Sequence, residues 1–476
     1  MSEAAENTCE NKDDLITIGT YVIIKKQNYS KVYKVSENAT QYGTRNSTLM
    51  LGKDQVEMRE IIGKPFWSTF EMVPSQNGNR TFTLKLTEQT ESWDDLKGDL
   101  SGQDNRSITD DGTSQKLSKE EIVQLQETGK TGKEIIGSLI ENSKSFAAKT
   151  EYSQEKYIKK KERKYFKFLT VCKPTVMSLH EVYFRLSQDK IGGLRMDALA
   201  QILSYSNVQS DGLHMLYDSG SQGLPAAAML ERIGANTSGH LINLHPGNTP
   251  QTAIVQAMNF PQELKDRHVT VNIYSLLRLY HQGESSVLDI IASKNSVGNQ
   301  IKKQENSKEM IEEASKETDL ASNLSTKDTE LEDTTKTDVA LVTNEECTNT
   351  LKRKIDELED VVPAKKPKWF FETQRAMNLL NASKALGLTV IAKEHPANIV
   401  SALLPFLGIS RPFVIFHMHR EPLQETYIEL KQKYNVINLR LFTNFLRSYQ
   451  VLPDRTHPNI LMSDTGGYIL TGYLVE

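Results

Sequence analysis

Short apolar segments typical of β-strands alternate with segments of helical periodicity from about residue 175 onward. The strand-like segments are LHMLYDSG, GHLINLHPG and HVTVNIYSLL, and the helix-like ones are GLRMDALAQILSYSNV, LPAAAMLERIG and TPQTAIVQAM. The pattern resumes with LGLTVIAKEHP, RPFVIFHMH and VINLRLF, and GGYILTGYLV fits a closing antiparallel strand. Because parallel neighbours need a crossover that is usually a helix, the alternation predicts an open, mostly parallel α/β sheet.

A different pattern occupies residues 15–86, where short segments rich in β-branched and aromatic residues are separated by turns rich in Asn, Gly and Ser. Such spacing predicts a small antiparallel barrel or sandwich, of which we favour the barrel. Polar residues 87–114 follow. Helical segments then begin with Ser118 and Glu121 in capping-box spacing.

The α/β pattern is interrupted between His281 and Lys368, a stretch with no Phe, Tyr or Trp and dominated by polar residues. Such a composition cannot bury enough surface to offset ordering entropy, so we expect a disordered insert within the α/β domain. The predicted organisation is a disordered tail (1–14), an N-terminal β-barrel (15–100), a helical linker (101–174), the first half of the α/β domain (175–290), the insert (291–368) and the second half (369–476).

Two basic clusters near the end of the insert are separated by ten residues and resemble a bipartite nuclear import signal. They comprise Lys352, Arg353 and Lys354, and then Lys365, Lys366 and Lys368. This spacing predicts a nuclear protein. The alternative is an ordinary solvated basic edge of a linker.

A dense basic tract runs from Lys156 to Lys167, with seven cationic side chains and a single acid, Glu162. As a helix it places Lys156, Lys160, Arg163 and Lys167 on one stripe, and Ile158, Tyr165 and Leu169 on the opposite one. The whole chain carries 57 Lys and Arg against 61 Asp and Glu, so any nucleic-acid surface must be local. We favour phosphate binding by the tract over an ordinary solvated helix face.

An α/β sheet of this layout suggests a nucleotide or S-adenosylmethionine site in the turn after its first strand. The turn here, which runs from Asp218 through Gly220, Gln222 and Gly223 to Pro225, keeps the acid and the first glycine, but Gln222 fills a glycine position. The next strand ends at Leu244-His245, where an acid would bind the ribose hydroxyls. We therefore predict a Rossmann-like, methyltransferase-type sheet with a degenerate cofactor loop and no cofactor in this chain. Glu394, after a later strand, could in principle serve a base-modifying enzyme.

The sequence gives little indication of a metal site, a disulfide framework or a membrane span. Cys9, Cys172 and Cys347 lie far apart, and His245, His395 and His457 lack ligand spacing, so we expect neither a disulfide framework nor a metal site. His417 and His419 are two apart on an expected buried strand, which predicts core or interface positions. No apolar run approaches the roughly 18 residues that a membrane span needs, and the acidic N-terminus fits no secretory or mitochondrial signal.

Several unusual strings resemble one protein family. They are NRSITDDGTSQKLS (105–118), IIGSLIENSKSF (135–146), YSQEKYIKKKERKYFK (152–167), GGLRMDALAQIL (192–203), RPFVIFHMHREPLQETY (411–427) and VINLRLFTNFLRSYQVLPDRTHPNILMSDTGGYILTG (436–472). They are similar to the non-catalytic, RNA-binding subunit of the eukaryotic tRNA (adenine-N1-)-methyltransferase, which acts on the T-loop adenosine at tRNA position 58.

The resemblance implies an N-terminal barrel and a methyltransferase-type domain that does not catalyse. It also implies a catalytic partner that alone binds S-adenosylmethionine, assembled with this chain as a dimer of heterodimers. By matching strings, the implied tRNA-binding residues are Asn105, Arg106, Gln115, Lys116, Lys156, Lys159, Lys160, Arg163, Lys164, Arg195, Arg440, Arg447, Arg455 and His457. For Arg440, in an apolar strand context, a buried ion pair is the alternative.

Two other functions remain open at this point. The chain could be an active S-adenosylmethionine-dependent RNA methyltransferase, against which the degenerate loop argues. It could also be a translation-associated scaffold that holds ribonucleoprotein through the basic tract. Cofactor binding by the chain alone would favour the enzyme, and a preference for tRNA bodies over other RNA would argue against the scaffold.

Overall fold

The computed structural model describes residues 14–27, 29–36, 48–75, 81–87, 114–127, 132–165, 167–285, 366–451, 456–460 and 466–475. The chain divides into two compact units, one formed by 1–270 with 380–476 and the other by 271–379. Within the described ranges, no helix combines the length and apolarity needed to cross a membrane.

The first sheet has seven strands in the order β2-β1-β7-β5-β6-β4-β3. Their bounds are β1 Tyr21–Lys26, β2 Tyr29–Lys34, β3 Thr48–Leu51, β4 Asp54–Glu57, β5 Thr69–Pro74, β6 Thr81–Thr87 and β7 Phe168–Cys172. Side chains join its two edges, because Lys31 Nζ on β2 donates to the carbonyl of Met50 on β3 at 3.2 Å. Val22, Ile24, Phe70 and other buried residues fill its interior. The predicted barrel is confirmed as a nearly closed, barrel-like sheet.

The described residues between β6 and β7 form three helices: α1 Lys119–Glu127, α2 Gly132–Glu141 and α3 Glu151–Tyr165. The predicted capping box is confirmed, since the Ser118 N–H donates to Glu121 Oε2 at 2.7 Å and the Glu121 N–H donates to Ser118 Oγ at 3.1 Å. Ile135 and Leu139 of α2 pack with Tyr165 of α3 in a small buried cluster. The helices therefore have a core of their own.

The helix predicted through Lys167 and Leu169 is wrong at its carboxyl end. Helix α3 ends at Tyr165, and the backbone carbonyl of Lys167 already accepts from the Met72 N–H at 2.6 Å. Leu169 lies in β7, between β1 and β5, and its side chain belongs to the barrel core. Strand pairing on both sides therefore overrides the helical periodicity of this segment.

The second sheet has the order β10-β9-β8-β11-β12-β16-β13. Its strands are β8 Leu213–Asp218, β9 His240–His245, β10 His268–Asn272, β11 Gly387–Ile391, β12 Pro412–His417, β13 Val436–Phe442 and β16 Tyr468–Leu474, while β14 Tyr449–Gln450 and β15 His457–Pro458 form a separate short pair. Strands β9, β8, β11 and β12 are parallel, and β16 runs antiparallel between β12 and β13. The predicted α/β sheet and its closing antiparallel strand are confirmed.

Every residue of β8, β11 and β12 is buried, as expected for parallel strands covered on both faces. The helices of this part are α4 Val176–Leu186, α5 Met196–Tyr205, α6 Leu224–Ile233, α7 Ala253–Ala257, α8 Gln262–Asp266, α11 Pro396–Leu403 and α12 Arg420–Lys433. The strand order reverses between β8 and β11. In open α/β sheets, ligands bind in the crevice at this switch point, outside the carboxyl ends of the strands.

The described part of the second unit contains two helices, α9 (273–285) and most of α10 (Lys368–Ala382). Lys366 Nζ contacts Glu284 Oε1 at 3.0 Å, which joins the end of α9 to the start of α10. The strand predicted over HVTVNIYSLL stops at Asn272, because the chain continues directly into α9.

Candidate nucleic-acid interface and cofactor-type cleft

Helix α3 presents a basic face to solvent. Ile158 and Tyr165 are buried on its inner side, with 6% and 2% of their surface exposed. The exposed lysines on its outer side are Lys156, Lys159, Lys160 and Lys164. The predicted separation of basic and apolar stripes is therefore confirmed for the part of the tract that is helical.

The lysines of α3 differ in how far they are paired. Lys159 Nζ contacts Glu155 Oε1 at 2.7 Å, and Lys161 Nζ lies 5.2 Å from the ring centre of Tyr157. Partial burial, followed by the like charges of Lys164 and Lys160, lowers the pKa of Lys161 below its ordinary value. These positive charges repel one another, so an anionic ligand such as a phosphate backbone would relieve the repulsion.

The segment before α1 supplies two more predicted contacts. Gln115 pairs with Ser143 in an isolated antiparallel bridge, and its side-chain amide nitrogen lies 2.9 Å from the carbonyl oxygen of Asn142 in the orientation that satisfies both groups. The neighbouring Lys116 is exposed. Gln115 therefore fixes the entry to the helices, while the Lys116 side chain is accessible to a ligand.

A second basic group lies near the carboxyl terminus, on the segment that follows β12. Arg440 is exposed on β13, where its Nε donates to Asn438 Oδ1 at 3.0 Å, so the alternative of a buried ion pair is wrong. Arg447 is exposed 5.7 Å from the ring centre of Phe445, itself 82% exposed. His457 is exposed on β15. The basic side chains of α3 thus lie on one helix, whereas Arg440, Arg447 and His457 lie in the carboxyl-terminal part of the chain.

Arg195 does not belong to this surface. Only 5% of the residue is exposed, and its Nε and one terminal nitrogen each donate to Asp197 at 2.6 Å. The same terminal nitrogen donates to the Asn444 carbonyl at 3.0 Å. The expected RNA contact is therefore replaced by a buried structural ion pair.

Other predicted positions lie outside the described residues. They are Asn105, Arg106 and Arg455 of the interface, and Lys352, Arg353, Lys354 and Lys365 of the import signal; of Arg163 only the backbone is described. Lys366 and Lys368 are described, and Lys368 is an exposed first residue of α10.

The turn after β8 keeps the backbone of a cofactor loop but not its chemistry. Gln222 has a positive φ of 59°, the left-handed conformation that glycine favours, and Gly223 follows with a φ of 77°. Asp218 Oδ1 accepts from the N–H groups of Gly220 and Ser221 at 3.0 Å, and Oδ2 accepts from the Ser221 hydroxyl at 2.6 Å. Burial raises the pKa of Asp218, although these hydrogen bonds oppose the rise. The acid therefore holds the loop from inside.

The end of β9 provides no carboxylate for a ribose. His245 is buried there, and its Nδ1 lies 2.8 Å from the Gly247 carbonyl oxygen. Burial lowers its pKa. Across the described ranges, no three potential metal ligands lie together, and His395 instead contacts Glu425 at 2.9 Å.

A cleft of about 290 Å³ lies at the carboxyl ends of β8, β11 and β12. Lys393, directly after β11, lines it and crosses the loop: a Cβ placed on Gly220 would lie 2.9 Å from Lys393 Nζ. S-adenosylmethionine carries a sulfonium cation, which an ammonium at this position would repel. With no acid for the ribose and a cation at the loop, these residues do not fit that cofactor.

Two residues of the cleft escaped the sequence predictions. Lys393 directly precedes Glu394, and its place at a strand end of the switch point is the signal by which the sequence could have indicated it. The prediction that His419 lies on a buried strand is wrong, because β12 ends at His417 and His419 is an exposed residue at the start of α12. The cleft therefore contains a lysine and an imidazole that the periodicity alone did not bring together.

Comparisons with known proteins agree with this arrangement. Residues 15–323 match the Gcd10p family. The chain is 33% identical over 469 residues to the tRNA (adenine(58)-N(1))-methyltransferase non-catalytic subunit TRM6 of Mus musculus, covering 97% of this chain and 89% of that protein. It is 27% identical to the protein of the same name in Dictyostelium discoideum, covering 96% and 79%.

Among solved structures, the chain is similar to an S-adenosylmethionine-dependent O-methyltransferase of Thermotoga maritima, with a TM-score of 0.45, 9% identity and coverage of 98% and 97%. It is also similar to the tRNA (m1A58) methyltransferase TrmI of Aquifex aeolicus, with a TM-score of 0.37, 9% identity and coverage of 97% and 99%. The fold assignment rests on the strand order described above. Because the family match spans more than half of the sequence, the chain belongs to the Gcd10p family.

Proposed function

We propose that this chain is the non-catalytic, tRNA-binding subunit of a tRNA (adenine(58)-N(1))-methyltransferase. The observation that carries the proposal is the cleft at the end of β8, which keeps a cofactor-loop backbone but has Lys393 at the loop and no acid at the end of β9. The names of the relatives support the same division of labour. S-adenosylmethionine then belongs to a catalytic partner and not to this chain.

The basic face of α3 supplies the contact with tRNA. Folded RNA is recognised mainly through shape, phosphates and 2′-hydroxyls, which exposed lysines on a rigid helix suit. We assign this role to Lys156, Lys159, Lys160 and Lys164, joined by Lys116, Arg440, Arg447 and His457, with Asn105, Arg106, Gln115, Arg163 and Arg455 carried from the resemblance. Arg195 is left out because it is buried against Asp197.

A separate binding subunit makes physical sense for this reaction. An enzyme that modifies a base within folded RNA must first expose it, at an energetic cost that binding elsewhere on the RNA offsets. This chain clamps the tRNA and presents the target adenosine to the partner. The assembly is a dimer of heterodimers, and the basic clusters from Lys352 to Lys368 direct the chain to the nucleus.

Methylation in vitro by the catalytic partner, with and without this chain, tests the proposal. The partner should need this chain for activity, and the double variant Lys156→Glu with Lys160→Glu should weaken tRNA binding at least tenfold. The matched control reverses two exposed lysines of other helices, Lys265→Glu with Lys431→Glu, and should bind tRNA as the unaltered chain does.

Three results would contradict the proposal. Methylation by this chain alone would make it an enzyme. Full activity of the Lys156→Glu, Lys160→Glu variant would make the helix face an ordinary solvated surface. Equal binding of tRNA and of unstructured RNA of the same length would favour a general ribonucleoprotein scaffold.

A further inference from the structure

The cleft at the switch point has a donor set of its own, distinct from the basic face of α3. Its walls come from the turn before α5, the loop after β8 and the ends of β11 and β12. Ile391, Ala392 and Phe416 also line it but are nearly fully buried, so the half-buried Met418 is its accessible apolar residue. About 290 Å³ is near the lower end of the range for small-molecule pockets, roughly 300–1,000 Å³.

Lys393 is the first donor. Its stem lies across two glycines from different loops, because a Cβ on Gly192 would lie 3.9 Å from its Cε and a Cβ on Gly220 would lie 3.0 Å from the same atom. Its ammonium has one acceptor within the described ranges, the Asp189 carbonyl oxygen, at a long 3.4 Å. Two of its three N–H bonds are thus left for a ligand.

Ser219 and His419 supply the other donors. Ser219 Oγ accepts from the backbone N–H of Lys393 at 2.8 Å, so the Ser219 hydroxyl proton is available to donate to a ligand. The backbone of His419 is held by His417, whose Nδ1 accepts from the His419 N–H at 3.0 Å, while the His419 ring is exposed and lines the cleft. Asp189 is the one acid among the lining residues.

An ammonium, a hydroxyl and an imidazole therefore line one cleft at the ends of β11, β8 and β12, together with the half-buried Met418. Three donors of this kind match the oxygens of a phosphate monoester, and the apolar side chain of Met418 can contact the face of a ring. We propose that the cleft binds a nucleoside monophosphate, with its phosphate on Lys393, Ser219 and His419 and its base against Met418. This binding goes beyond tRNA presentation and does not depend on it.

Calorimetric titration of the full chain with AMP, adenosine and inorganic phosphate tests this proposal. AMP should bind at least tenfold more tightly than adenosine or phosphate, because only AMP engages both parts of the cleft. Lys393→Met keeps the aliphatic stem on Gly192 and Gly220 but removes the charge, and should erase the advantage of AMP over adenosine. Lys265→Met, an exposed lysine of α8, is the control and should change neither affinity.

His419→Phe keeps a ring at an exposed position and removes its donor, so it should weaken AMP at least fivefold even if Lys393→Met fails to fold. Equal affinities for AMP and adenosine, unchanged AMP binding by both variants, or tighter binding of S-adenosylmethionine than of AMP would each overturn the proposal.

The phosphate could come from a free mononucleotide or from an RNA terminus. Displacement of AMP by an oligoribonucleotide with a 5′-phosphate, but not by its 5′-hydroxyl counterpart, would identify a terminus. Displacement by neither oligonucleotide would identify a free mononucleotide.

Discussion

The side chain of Asn259 pairs with both backbone groups of Tyr21. Its Oδ1 accepts from the Tyr21 N–H at 2.8 Å, and its Nδ2 donates to the Tyr21 carbonyl at 2.8 Å. Tyr21 begins β1, before the point where β7 pairs with that strand. One amide therefore imitates a neighbouring strand and ties the barrel to the chain just after α7.

Replacing Asn259 should separate the stabilisation that its two hydrogen bonds to Tyr21 provide from the cost of its left-handed backbone conformation. Asn259→Ala loses both hydrogen bonds and places alanine at a φ of 53°, so we expect a loss of about 2–3 kcal/mol in the free energy of unfolding by urea. Asn207 has a φ of 49° and is exposed, so Asn207→Ala is the matched control and should cost about 1 kcal/mol. Equal losses would mean that the amide pair contributes nothing.

The buried pair of Arg195 and Asp197 should be sensitive to removal of one partner. Asp197→Asn leaves a buried guanidinium without its counter-charge, which costs about 3–5 kcal/mol of unfolding free energy. Arg195→Met combined with Asp197→Asn removes the charge as well and should recover most of that loss. A double variant as unstable as the single one would show that packing of the guanidinium, not charge, matters.

The same pair has a pH signature. Burial alone would raise the pKa of Asp197, but the hydrogen bond and charge of Arg195 outweigh it and hold the pKa below the ordinary 3.8. Its stabilising contribution is therefore complete above that value and is lost as pH falls through the lowered pKa.

His268 should lower the free energy of unfolding at pH values higher than those at which Asp197 acts. Burial lowers its pKa from 6.5 to about 4, and its Nε2 is buried with no hydrogen-bond partner within the described ranges. The unfolded chain therefore takes up the proton first as pH falls below 6.5, and up to roughly 3 kcal/mol is lost by pH 4. Urea unfolding of His268→Leu between pH 7 and 4 should lack this component. A variant with the same pH dependence as the unaltered chain would contradict the prediction.

The salt dependence of tRNA affinity should show how many phosphates α3 contacts. If Lys156 and Lys160 each neutralise one phosphate, Lys156→Gln with Lys160→Gln should reduce the slope of log affinity for tRNA against log salt by about two. Fluorescence anisotropy at several salt concentrations measures this slope, with Lys265→Gln and Lys431→Gln together as the control. An unchanged slope would remove both lysines from the interface.

Much of the fold follows from local patterns. The buried strands β8, β11 and β12 are continuous apolar runs, and the Ser118–Glu121 capping box is visible as a four-residue spacing. Strand β7 could not be found in this way. Tyr165 to Leu169 continues a helical apolar stripe, and only the backbone partners on β1 and β5 make it a strand.

In the candidate site, too, some features follow from local sequence patterns and others depend on residues distant in sequence. The basic face of α3 follows from composition and period, whereas the burial of Arg195 depends on the Asn444 carbonyl, 249 residues away in sequence. The convergence of Lys393 and His419 likewise depends on two parallel strands lying side by side. The residue spacing within one segment cannot predict contacts between residues that are distant in sequence.

The position of β7 also has a consequence for the order of events during synthesis. The strand lies in the sheet between β1 and β5, yet the ribosome makes it only after α1, α2 and α3. Until Cys172 has left the exit tunnel, the nascent barrel has a gap where its third strand belongs, with unpaired backbone edges on either side. The helices that carry the basic face can form before the barrel is complete. A nascent chain whose α3 has left the exit tunnel while β7 is still inside it would therefore display a basic helix and unpaired strand edges at the same time.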